Sequence, residues 1–106
     1  MTTDTIAAIA TAPGAGGIGI VRGSGPGALP ILEKLFAPAG KGGYKPWILR
    51  RGRVQDTEGN TLDDSLAVFM PGPKTFTGED VAEFQCHGGP ALLAAVLEAC
   101  LCAGAR

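Results

Sequence analysis

The stretch "WILRRGRVQDTEGNTLDDSLAVFM" (Trp47–Met70) places two apolar runs on either side of the polar connection "QDTEGN". Trp47–Val54 and Leu62–Met70 read as strands, and so short a polar link makes them a hairpin. In the second run Leu66, Val68 and Met70 fall on one face and Ala67 and Phe69 on the other, so this strand should be covered on both sides. In the first, Arg51 and Arg53 share a face while Arg50 takes the opposite one, the pattern of a solvated strand.

On the N-terminal side, "TIAAIAT" (Thr5–Thr11) is a short strand stopped by "APG", and "GIGIVR" (Gly17–Arg22) is a second with Ile18, Ile20 and Arg22 on one face. "SGPGALPILEKLFAP" offers Ser24 as a helix cap and Leu29, Leu32 and Leu35 or Phe36 at helical spacing. A helix is expected from Pro26 or Ala28 to Phe36, with Pro38 ending it. "AGKGGYKP" (Ala39–Pro46) is a loop. On the C-terminal side, the loop "PGPKTFTGED" leads into the strand "DVAEFQCH" (Asp80–His87), with Val81, Glu83 and Gln85 on one face and Ala82, Phe84 and Cys86 on the other. The last helix has Pro90 in its first turn, a stripe of Leu92, Leu93, Val96, Leu97, Cys100 and Leu101, and Gly104 as its C-terminal cap. Its opposite face is mostly alanine, so it needs cover beyond the sheet. The order β-β-α-β-β-β-α around a central hairpin indicates an α+β two-layer sandwich, a mainly antiparallel sheet with helices on one face.

A chain of 106 residues holds one domain and one modest core. Ending just after a helix cap, without a returning strand, it reads as a piece of a longer protein. With 45% hydrophobic residues, 18% charged residues and a formal net charge of −1, it is ordinary, soluble and globular, and that charge does not attract DNA or other polyanions. No run approaches the roughly 18 apolar residues of a membrane span. "MTTDTIAAIATAPG" lacks the charged start of a signal peptide, which points to the cytoplasm. Three cysteines (Cys86, Cys100, Cys102) form no disulfide framework and suit a reducing compartment.

"GAGGIG" (Gly14–Gly19) fits G-x-G-x-x-G, but a strand rather than a helix follows it and no acidic residue stands about 20 positions on. A turn between paired strands accounts for it better. The phosphate loop G-x-x-x-x-G-K-[ST] is matched nowhere. Cys86, His87, Cys100 and Cys102 invite a zinc reading, yet Cys100 and Cys102 stand about 200° apart on a helix and cannot share a metal. His87 lies at a strand-to-helix junction with no acid-base partner set by spacing, so turn geometry or a ligand contact suits it better than catalysis. No acid-base pair or nucleophile-base arrangement is visible, which disfavours a free-standing enzyme. Arg22 and Glu83 are sharper. Each is a charge on a strand face otherwise made of Ile18, Ile20 and Val81, so they must pair with each other or meet a polar ligand.

"DTIAAIATAPGAGGIGIVRGSG", "FTGEDVAEFQCHGG" and "GAR" together resemble the N-terminal domain of the tRNA modification GTPase family MnmE, also called TrmE, from Asp4 to Arg106. The resemblance implies a fold similar to tetrahydrofolate-binding modules. It also implies a homodimer and a bound 5-formyltetrahydrofolate or related tetrahydrofolate, contacted by Arg22 and Glu83. A carboxylate accepts two hydrogen bonds from the amino and ring N–H groups of a pterin, and Gln85, on the same face, is a weaker neighbour. In the family this domain precedes helical and GTP-hydrolysing domains, where GTP, Mg and K ions bind. The whole protein works with the flavoprotein MnmG on the wobble uridine of tRNA, modifying its 5 position with a one-carbon unit from folate. The alternative to ligand binding is a purely structural dimerisation domain. This chain departs from the family pattern at Ala15, where a basic residue is common, and at Gly23, where "VRGSG" replaces "VRISG".

Overall fold

The computed structural model describes residues 4–10, 17–40, 42, 45–87 and 89–106. Six strands and two helices follow one another: β1 (Ile6–Ile9), β2 (Ile18–Ser24), α1 (Ala28–Leu35), β3 (Phe36–Pro38), β4 (Arg50–Gln55), β5 (Thr61–Met70), β6 (Val81–His87) and α2 (Pro90–Cys102). The strands form one sheet in the order β1-β2-β6-β5-β4-β3, and every neighbouring pair is antiparallel. This is the expected α+β architecture with one more strand than the sequence suggested. The anticipated glycine turn, with Ala15, falls on residues 11–16, outside the described residues.

The central hairpin forms as expected, β4 pairing with β5. Its turn is organised by Asp56, whose Oδ1 accepts the backbone N–H of Glu58 and of Asn60, each at 2.9 Å, while Oδ2 accepts from the Asn60 side chain at 3.0 Å. Those donors favour the ionised carboxylate and lower its pKa. The first strand of the hairpin starts at Arg50 rather than Trp47. Trp47 donates its N–H to the Phe69 carbonyl of β5, but it takes a positive φ of 67° and the Ile48 N–H turns back to the Lys45 carbonyl, so regular pairing begins only at Arg50.

The core lies between the helices and one sheet face. Val21 on β2, Ala82, Phe84 and Cys86 on β6, Ala67 and Phe69 on β5, and Val54 on β4 are all buried there. α1 contributes Ala28, Ile31, Leu32 and Leu35, a stripe turned by one position from the expected one, which leaves Leu29 half-buried. Its start is not capped by Ser24. The Gly27 N–H instead donates to the Thr5 hydroxyl at 2.6 Å, a partner from the other end of the β1-β2 unit. Phe36, expected to end the helix, is extended and opens the short β3 on the sheet edge.

α2 buries Leu93, Val96, Ala99 and Cys100 and leaves Leu101 exposed, so the stripe is narrower than the sequence suggested. Gly19 lets it approach: a Cβ there would stand 2.6 Å from a Leu93 methyl. Gly104 ends the helix as expected, with φ 118°. The N–H groups of Gly104 and Ala105 bond back to the carbonyls of Leu101 and Cys100, which reverses the chain. Arg106 thereby reaches the free edge of β1, its N–H on the Thr5 carbonyl and its own carbonyl receiving the Ala7 N–H, and its guanidinium pairs with Asp4. Among the described residues no helix is long and apolar enough to cross a membrane.

Candidate functional site

The other sheet face carries the polar chemistry. Antiparallel register sets Arg22 of β2 directly opposite Glu83 of β6, and Glu83 opposite Val68 of β5. Two guanidinium nitrogens of Arg22 converge on one carboxylate oxygen: Nε lies 2.7 Å and the second nitrogen 2.6 Å from Glu83 Oε2. The other oxygen, Oε1, takes no part in this pair. The Glu83 side chain is only 11% exposed and that of Arg22 39%. A carboxylate so withdrawn from water requires a cation, and the charge-assisted bonds supply the compensation. Of the alternatives that spacing left open, the structure realises the ion pair.

The pair lines an open cleft of about 270 Å³ together with Met70, Val81, Thr75, Phe76 and Thr77. Met70 and Val81 belong to the sheet; the other three come from the loop between β5 and β6, which folds back toward the end of β2. Ser24 anchors it there. Its hydroxyl donates to the Glu79 carboxylate at 3.2 Å, so its single proton is used and the 2.8 Å contact to Thr77 is donated by the threonine. The Thr75 hydroxyl donates to the Glu79 carbonyl at 2.6 Å, and the Gly72 N–H donates to Asp80 at 2.9 Å. Ser24, read from sequence as a helix cap, is instead the post on which this loop is hung.

Gln85 lies on the same face, opposite Leu66 and Ile20, but borders a second open cleft of about 240 Å³ with Ile18, Arg51, Asp64 and His87. The structure therefore brings Arg22 and Glu83 together and leaves Gln85 two residues further along β6, at the next position on that face. Gly23, beside Arg22, is held between Ala7 of β1 and Ala82 of β6.

His87 does have an acidic partner, Asp63 of β5, 24 positions away. The Asp63 carboxylate accepts the His87 backbone N–H at 2.8 Å and stands 3.0 Å from Nδ1. The hydrogen bond to Asp63, and then its charge, raise the pKa of His87, although the ring is 76% exposed. Spacing could not have found this pair, because Asp63 sits in "LDDS" as an ordinary polar strand residue. Cys86 and Cys100 are buried and their thiols are pushed up to about 12, chiefly by burial; Cys102 is exposed on the last turn of α2.

Residues 5–106 match the family described as "GTP-binding protein TrmE N-terminus". The chain is 60% identical over 105 residues to the tRNA modification GTPase MnmE of Nitratidesulfovibrio vulgaris strain DP4, a match covering 97% of this chain and 23% of the relative. It is 58% identical over 103 residues to the protein of that name from Roseiflexus sp. strain RS-1, covering 97% and 22% of the two chains. With the one from Roseiflexus castenholzii the identity is 56% over 106 residues, covering 100% and 23%. The chain thus spans about a quarter of the length of these curated relatives.

Proposed function

The chain belongs to the TrmE N-terminal family, and on that premise we propose that it is the folate-binding and homodimerising module, a single domain over residues 1–106, of a tRNA modification GTPase. The observation that carries the ligand reading is the Arg22–Glu83 pair in the wall of the cleft, with Oε1 of Glu83 outside the pair. A pterin offers an amino group and a ring N–H side by side, and a carboxylate accepts both. Arg22 positions that carboxylate through its two contacts to Oε2 and itself reaches a carbonyl or carboxylate of the ligand. Gln85 is a weaker neighbour further along the face. Pockets for whole drug-sized ligands run from about 300 to 1,000 Å³. A cleft of about 270 Å³ therefore suits the bicyclic head of 5-formyltetrahydrofolate or a related tetrahydrofolate, with the tail outside it.

In the whole protein the one-carbon unit of the folate goes to the 5 position of the wobble uridine of tRNA, in partnership with the flavoprotein MnmG in the cytoplasm. GTP hydrolysis, with its Mg and K ions, belongs to a different domain, since G-x-x-x-x-G-K-[ST] does not occur in this sequence. The module itself binds folate and dimerises.

Calorimetric titration with 5-formyltetrahydrofolate tests the proposal: Glu83→Ala should weaken binding by about tenfold or more, since a charge-assisted bidentate contact is lost. Equal affinity would remove Glu83 from the site. The second reading, a purely structural dimerisation domain, draws on the exposed apolar residues Trp47, Ile48, Leu49 and Ile6. Saturating folate should raise the thermal midpoint under the first reading and leave it unmoved under the second.

A further inference from the structure

Among the described residues, Phe76 is the most exposed large apolar side chain, with 100% of its surface open to solvent. Its setting is not that of a loose tip. The loop that carries it is tied at both ends and across its middle: Gly72 to Asp80, Thr75 to Glu79, Gly78 back to Thr75, and Thr77 and Glu79 to Ser24. Thr75 and Thr77, the residues on either side, are both engaged in these bonds. The loop therefore presents a phenyl ring to water from a fixed base, at the rim of the cleft that Arg22 and Glu83 line.

Hydrogen bonds along the edge of a flat heterocycle fix its plane and leave its two faces uncovered. Met70 and Val81 on the sheet offer an apolar surface to one face. We propose that Phe76 covers the other, stacking on the flat pyrimidine ring whose edge Glu83 holds, and so selects ligands that carry such a π-ring beside their paired N–H donors. This rests on the folate reading above. An aromatic ring stacks on any flat π-system, while Glu83 accepts from N–H donors along the ring edge and offers none itself, so the two residues divide recognition between shape and hydrogen-bond pattern.

The test is calorimetric titration of the purified protein with 5-formyltetrahydrofolate, with the solution mass measured at each protein concentration, for wild type, Glu83→Ala, Phe76→Ala, Phe76→Leu and Phe76→Tyr. Because the side chain is wholly exposed, Phe76→Ala should keep the ligand-free thermal midpoint. Its affinity should fall about tenfold, the usual scale for losing one ring–aromatic stack. Phe76→Leu should restore part of the loss and Phe76→Tyr should bind within about threefold of wild type. Wild-type affinity in Phe76→Ala, with Glu83→Ala defective, overturns the stacking role and leaves the folate reading standing. A loss in Phe76→Ala that tracks a fall from dimer to monomer mass overturns it in favour of a chain-to-chain contact. Absence of binding by wild type overturns both readings together.

Discussion

Glu83 and Arg22 stand across one rung of the β2-β6 ladder, 61 positions apart in the chain, with two guanidinium nitrogens on a single carboxylate oxygen. Their exposures differ, and so should the consequences of removing either. Arg22→Met strands a charge that is largely shut off from water and should cost about 2 kcal/mol, less than a fully buried pair because water still reaches the arginine side. Glu83→Gln leaves the more exposed partner, which solvent can hydrate, and should cost about 1 kcal/mol or less. Urea denaturation of the two variants at neutral pH checks the order; equal losses would mean that the two charges share solvent alike.

The Asp63–His87 contact predicts a pH dependence. Its pKa is raised in the folded state, so the protonated ring contributes stability that is fully present below about 6.5 and lost as pH rises through the higher folded value. The thermal midpoint of wild type should therefore decline from pH 6 to 9 more steeply than those of Asp63→Asn and His87→Gln. Parallel curves would show that the contact does not couple to folding.

Thiol reactivity should separate the three cysteines. Cys102 is exposed, whereas burial pushes the Cys86 and Cys100 thiols up to about 12. A thiol reagent at pH 8 should modify one site rapidly, and peptide mapping should place it at Cys102. The other two should react only at the rate of unfolding, and early labelling of Cys86 would contradict its place in the core.

Two glycines of β2 should respond in opposite directions to alanine. At Gly23 a Cβ would meet only the Ile6 carbonyl at 3.9 Å, so Gly23→Ala should stabilise by about 0.5–1 kcal/mol through loss of chain entropy in the unfolded state. At Gly19 the same atom would press on Leu93, and Gly19→Ala should destabilise by about 1–3 kcal/mol. Thermal unfolding of the pair provides the comparison, and a stabilised Gly19→Ala would show that α2 can yield.

Much of the fold was legible because it rests on local period. The alternation in "DVAEFQCH" put Glu83 and Phe84 on opposite faces, and the structure keeps them there. The turn residues of "QDTEGN" closed the hairpin, and Gly104 ended α2 where expected. The errors lie where a distant partner overrides local preference. Ser24 has the chemistry of a helix cap, but Thr5 takes that bond and Ser24 holds the β5-β6 loop. Phe36 has helical spacing, but pairing with Val54 draws it into a strand. Asp63 showed no sign of a role until β5 and β6 came together.

By itself the sequence determined which side chains share a face, where the punctuation falls and, through the motifs around Arg22 and Glu83, the family to which the chain belongs. Only the tertiary structure decided which faces meet. It set Arg22 against Glu83, His87 against Asp63, and Phe76 at the rim of the cleft that Arg22 and Glu83 line. The reason is that side-chain direction follows from backbone geometry within a few residues. Register between strands dozens of residues apart is settled by the packing of the whole core, which no local pattern encodes.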